Sequence, residues 1–245
     1  STITTFNSFT TTDSTITATV SRASTSFTHT FIMDVKKSTT WINVKTVTGV
    51  ATSTNMALTS SQQNIIHNAV TNSDRATVRL TAVTYNGSAE IGRTSKEVTA
   101  TIPGTLAPSI GNLTITDMNT SSALLGVYVR RVSKLKLQVS ATPGSGATIT
   151  SYRFSSRAFT TMSGSSSSQT MEGVLQAAGS QPITVRVTDS RGKIAYKQFD
   201  LNILDYDIPK ISKLEAYRIN TADGPPDPFG TNVAVAWNIS ISSLK

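Results

Sequence analysis

The chain is expected to be all-β, a tandem series of immunoglobulin-like (fibronectin-like) β-sandwiches with one short helix in the first module. Three observations lead there. Apolar and polar residues alternate with a period of two, turn-forming residues join those stretches, and one spaced motif recurs 101 residues after its first appearance.

The alternation is clearest near the end of the second hundred residues. Ile183, Val185 and Val187 alternate with Thr184, Arg186 and Thr188, and Phe199, Leu201 and Ile203 alternate with Asp200 and Asn202. Such a stretch puts one strand face in a core and the other in water. Between the two runs, Asp189, Ser190, Arg191 and Gly192 supply an Asp that can bond its own backbone and a Gly that accepts positive φ, so a hairpin is expected. A lone ribbon buries too little to be stable, so this hairpin must belong to a larger unit.

The recurring motif is Pro-x-Ile-x-x-Leu, at Pro108, Ile110 and Leu113 and again at Pro209, Ile211 and Leu214. A period of this length is one sandwich, which divides the chain into modules 1–103, 104–205 and 206–245. Only 36 residues follow Pro209, so the third module is expected to be incomplete, either cut short or completed by another segment or chain.

In the first module, strands are expected at Ile16–Val20, Phe27–Val35, from Ile42, at Val78–Ala82, and through Val98 to Ile102. Ser60 to Gln63 fit a capping box, and Ile65, Ile66, Ala69 and Val70 then follow at helical spacing, predicting a helix near 60–71. Asn86 and Gly87 predict a type I′ hairpin. The second module is expected to carry strands at Leu113–Thr116, Leu135–Val139, Ile149–Phe154 and Thr170–Leu175, with loops at Gly144–Gly146 and a mobile tip at Ser163–Ser168. Val233, Val235, Trp237, Ile239 and Ile241 mark a strand in the third.

Composition narrows the function classes. Cysteine is absent, which excludes disulfides and thiolate metal sites. There are two histidines, His29 and His67, no phosphate-cradling glycine motif, and acidic pairs (Asp205 with Asp207, Asp223 with Asp227) too small for calcium. No catalytic residue, cofactor or metal is therefore expected, and the chain is read as a non-enzyme. No apolar run approaches the roughly 18 residues of a membrane helix, so no membrane span is expected.

The net charge is +8, distributed as +3, +5 and 0 over the three modules. The basic residues are spread along strands and not massed with aromatics, so nucleic acid is not an expected partner. The densest basic run, Arg130, Arg131, Lys134 and Lys136, is the candidate polyanion-binding site; the alternative is a solvated strand whose lysines resist edge pairing. Trp41, Tyr85, Tyr128, Tyr152 and Trp237 are candidates either for stacking on sugars or for the sandwich cores.

Phe27 to Thr30, the turn from Thr84 to Gly87 followed by Ile91 and Gly92, the exit at Ile102 and Pro103, and the run Val187 to Gly192 resemble a family of tail-associated proteins from siphophages and prophages of Gram-positive bacteria, streptococcal in type. The resemblance covers roughly residues 10–215. It implies a minor structural or host-attachment protein of the phage tail or baseplate, built of tandem immunoglobulin-like modules, located in the virion and homo-oligomeric there. Other virion tail proteins are then its partners, with host cell-surface polysaccharide or teichoic acid as a further one. A bacterial cell-surface adhesin and the non-catalytic region of a cell-wall hydrolase are the alternative readings.

Overall fold

The computed structural model describes residues 1–241. Its first part contains β1 (Thr2–Thr5), β2 (Phe9–Thr10), β3 (Thr17–Ser21), β4 (Phe27–Lys37), β5 (Thr40–Val50), β6 (Ser53–Asn55), α1 (Ser60–Ala69), β7 (Arg75–Asn86) and β8 (Ala89–Thr101). A three-stranded sheet, β1-β3-β6, faces a five-stranded one, β2-β8-β7-β4-β5. The alternation becomes burial: Phe31, Met33 and Val35 on β4 and Val78, Leu80 and Ala82 on β7 are fully enclosed, joined by Phe6 and Ile66. Each such large aliphatic or aromatic side chain stabilises the sandwich by about 1.5–3 kcal/mol relative to exposure.

Helix α1 forms where expected but is capped one residue earlier. Thr59 is the N-cap: its hydroxyl accepts from the Gln62 N–H, and Gln62 Oε1 accepts from the Thr59 N–H at 2.9 Å. The pattern Ser/Thr-x-x-Gln fits both Thr59 with Gln62 and Ser60 with Gln63. Gln63 turns instead to the Leu58 carbonyl, at 3.3 Å. The β7–β8 turn also departs from expectation. Asn86 pairs with Ala89, so Gly87 and Ser88 are the central residues, and only Gly87 has positive φ (60°). That is the type II′ pattern, because Asn86 closes the ladder and does not enter the turn.

The second part contains β9 (Ser109–Asp117), α2 (Thr120–Leu124), β10 (Tyr128–Val129), β11 (Leu135–Thr142), β12 (Ile149–Ser156), β13 (Phe159–Gly164), β14 (Ser168–Thr170), β15 (Gly179–Ser180), β16 (Ile183–Asp189), β17 (Ile194–Phe199) and β18 (Asn202–Leu204). Sheets β14-β11-β9 and β13-β12-β16-β17 enclose a second core around Leu135, Leu137, Phe154, Leu175, Val185 and Val187. The small sheet β10-β18-β15 closes one end.

Three expectations for this region are corrected. The short α2, capped by the Asn119 side chain accepting from Ser121 N–H at 3.0 Å, is a second helix; its five residues are too few for helical periodicity to register. The strand expected at Thr170–Leu175 is confined to Ser168–Thr170. Ser163 and Ser168 lie in strands β13 and β14, which leaves a shorter tip between them.

The third part is a single antiparallel pair, β19 (Lys210–Ile219) and β20 (Asn232–Ser240). It explains the recurring motif. Ile and Leu three residues apart would fall on opposite faces of a regular strand. In β9 the ladder shifts between Leu113, paired with Val139, and Ile110, paired with Ala141, so one extra residue brings both side chains to the same face. In β19 the shift recurs between Ile211 and Lys213. Pro-x-Ile-x-x-Leu is thus the signature of a bulged first strand. In the second sandwich that face packs on the core, whereas Ile211, Leu214, Val233, Val235, Trp237 and Ile239 are exposed.

Candidate interaction site

Arg130 and Arg131 do not join Lys134 and Lys136 in an open basic patch. They follow the short β10 and turn toward the connection into the third part, where Arg130 meets Asp205 at 2.7 Å and Asp207 at 3.1 Å. Arg131 reaches Asp207 at 3.0 Å. The Arg130–Asp205 contact is an ion pair by distance without hydrogen-bond geometry at the guanidinium Nε. Arg131 holds a left-handed backbone (φ 63°), fixed by its N–H on the Leu175 carbonyl at 2.8 Å. Lys134 and Lys136 are exposed, with Lys136 between the inward-facing Leu135 and Leu137.

Nearby, Asp117 organises the loop that contains α2. Burial pushes its carboxyl up, but hydrogen bonds from the Ser122 and Ser133 hydroxyls and from the Asn119 and Lys134 N–H groups outweigh that and hold it below the usual carboxylate value.

A second joint was not foreseen. The β16–β17 turn presses against the C-terminal end of α1, in the other sandwich. Asp189 Oδ1 accepts from the N–H groups of Arg191 and Lys193, both at 2.9 Å, and fixes the turn. From it the Arg191 guanidinium donates to the carbonyls of His67 at 2.7 Å, Val70 at 3.0 Å and Ser145 at 2.6 Å. The Ser190 hydroxyl donates to the Thr71 carbonyl, and the Ser145 hydroxyl to Asn64 Oδ1 at 2.7 Å. Helix C-termini leave carbonyls unsatisfied and carry partial negative charge. Because α1 ends at Val70, in extended conformation and without a glycine stop, the cap comes from a cation 121 residues away. Gly146, at φ 75°, makes the approach possible: a methyl group there would overlap the His67 carbonyl.

His67 sits inside this joint. It is buried, its Nε2 lies 3.0 Å from the Thr11 hydroxyl, and its Nδ1 has no partner among the described residues. Burial first, and the Arg191 charge second, lower its pKa. His29 is held by the Val50 and Ala51 carbonyls and by Ser1, at 2.9–3.1 Å.

The aromatic candidates separate. Tyr152 belongs to the second core, and Tyr128 donates to the Ile115 carbonyl at 3.3 Å. One face of Trp41 is taken by the Arg79 guanidinium, 4.2 Å from the ring centroid, and Tyr85 is half-buried. Trp237 is 65% exposed, as is Tyr196 at 66%, a residue that sequence patterning did not single out.

Two sandwiches clamped through a helix end, followed by a ribbon with a bare apolar face, define a tandem immunoglobulin-like β-sandwich protein with surfaces suited to contact. The chain belongs to the family described as siphovirus protein of unknown function (DUF859), which matches residues 1–223. No curated protein sequence matches it. Among solved structures, the fibronectin(III)-like modules of Clostridium thermocellum CbhA are similar at 14% identity, over 83% of this chain and 93% of that one, with a TM-score of 0.33. Protocadherin gamma B2 extracellular cadherin domains 3–6 are similar at 12% identity, over 83% and 50%, with a TM-score of 0.32.

Proposed function

We propose that this chain is a non-enzymatic structural component of the siphovirus virion, placed in the tail or baseplate, where it spaces or displays a host-attachment region. The observation that carries this reading is a siphovirus family match running through both sandwiches, residues 1–223. The Arg191 joint supports a spacing role, since a spacer transmits position only if its modules are held in fixed relation. The modules proposed are 1–103, 104–205 and the beginning of a third at 206–245.

Other virion proteins, including further copies of this chain, are the proposed partners. The apolar face of β19–β20 supports assembly with another β-rich segment, because the corresponding face of β9 and β11 is covered by β12 and β16. A weaker contact with host-surface polysaccharide or teichoic acid falls to Lys134 and Lys136, since Arg130 and Arg131 are already ion-paired.

Electron microscopy of virions labelled with an antibody to this chain tests the reading. Label on the tail or its tip is expected; label absent from the tail sinks it, in favour of an adhesin or a wall-hydrolase region.

A further inference from the structure

The outer face of the β13-β12-β16-β17 sheet carries an arrangement that the fold alone does not require. Across four strands the residues Ser163, Arg153, Arg186 and Tyr196 stand directly opposite one another in register. Their neighbours Met162, Tyr152, Phe154, Val185 and Val187 pack inward, so this row faces out. Two arginines are therefore cross-strand partners. Side chains so placed have Cβ atoms about 5 Å apart, and like charges there are destabilising.

Nothing nearby offsets that repulsion. Arg79, Arg93, Arg130 and Arg131 meet carboxylates and Arg22 and Arg191 meet carbonyls, while Arg75 and Arg218 stand opposite Thr101 and Val233 and not opposite another cation. Among the described residues neither the Arg153 nor the Arg186 side chain has a hydrogen-bond or ion-pair partner. The Arg186 Nε is in addition shielded from solvent without a partner. Between the two lies a cleft of about 210 Å³ lined by Ser151, Ser163 and Thr188 besides the arginines and Tyr152. Its serine and threonine residues bring hydroxyls to it, and no carboxylate lines it.

We propose that this face binds a phosphate ester, with the phosphate held between Arg153 and Arg186 and the attached polyol or sugar unit against the hydroxyls and Tyr196. Guanidinium groups present planar donor forks that match phosphate oxygens, and two of them from adjacent strands supply the two positive charges that balance a phosphate dianion. The cleft is smaller than the roughly 300–1,000 Å³ of drug-sized sites, which fits one phosphate and one small unit. Tyr196 adds a flat, amphipathic surface of the kind that packs on a sugar ring. A bound dianion also removes the like-charge repulsion. This site is independent of the virion reading and stands or falls without it.

The test is a titration of the full chain with inorganic phosphate, glycerol 3-phosphate, sulfate and glycerol, followed by amide shifts in β12 and β16. Saturable binding is expected for the anions, tightest for glycerol 3-phosphate, with none for glycerol. Arg153→Gln and Arg186→Gln should each weaken it at least tenfold, while the double variant Lys134→Ala, Lys136→Ala leaves it unchanged. Unliganded Arg153→Gln should melt at the wild-type temperature or higher. Absence of saturation, sulfate binding as tight as glycerol 3-phosphate, binding unchanged in both arginine variants, loss of binding in the lysine variant, or a lowered melting temperature for Arg153→Gln would each overturn the proposal.

Discussion

At the scale of single residues, two groups, the buried His67 and the half-buried Asp117, make the stability of the fold respond to pH in separate windows. His67 is held below its ordinary value, so the unfolded chain takes up the extra proton first as pH falls. Its contribution is complete above an unfolded histidine value of about 6.5 and is lost as pH drops through the lower folded value. Asp117 acts at more acid pH: its contribution is complete above the usual carboxylate range and disappears as pH falls through its depressed value. Thermal melts from pH 7.5 downward should therefore decline in two steps. His67→Gln, which retains a partner for the Thr11 hydroxyl, should flatten the first step and leave the second. Parallel loss in variant and wild type across the first window would show that another group titrates there.

At the scale of elements, the bulge of β9 is the device that lets a three-residue spacing serve one face. Deleting Asn112 removes the extra residue and leaves Ile110 and Leu113 two positions apart in a regular strand, still on one face. It also removes the N–H that donates to the Ser140 hydroxyl at 2.9 Å. The cost in chemical denaturation is therefore expected to stay near the roughly 0.5–1.5 kcal/mol of that one hydrogen bond, short of the about 1.5–3 kcal/mol that expelling an aliphatic side chain would cost. A loss of the larger size would mean that Ile110 had left that face and that the bulge does not set the alignment. The strands themselves were legible because burial follows the period of two, and the repeat was legible as spacing. The bulge was not, since the motif names side chains and the shift belongs to the partner strand's register. Helix α1 was legible to within one residue because two overlapping frames satisfied the same capping chemistry. The pairing of Arg130 and Arg131 with Asp205 and Asp207 was hidden by distance along the chain, which made a joint look like a patch. Arg153 and Arg186 were hidden for the same reason: 33 residues separate them in sequence and none across the sheet.

At the scale of the whole molecule, the Arg191 guanidinium is the charged centre of the joint between the two sandwiches, flanked by the hydroxyls of Ser190 and Ser145. Arg191 has its pKa lowered by burial, while Asp189 and Asp74 pull the other way; it remains a cation, and its planar fork reaches three carbonyls at once. Hydrogen bonds from a charged donor contribute roughly 1.5–3 kcal/mol each and are not additive within one side chain, so removing Arg191 should cost the joint about 3 kcal/mol. Neither core contains Arg191, so each sandwich should keep its own fold. Arg191→Ala is accordingly expected to split one cooperative melt into two and to lengthen the maximum dimension in small-angle scattering, as a rigid pair becomes a hinged one. Arg191→Lys should resemble the alanine variant more than the wild type, because an ammonium lacks the fork that spans the His67, Val70 and Ser145 carbonyls. Gly146→Ala should give the same scattering change with Arg191 intact, by pushing the turn off the helix end. If all three variants scatter and melt as the wild type does, the sandwiches are held by something other than this cap, and a spacer built on it is the wrong picture of the molecule.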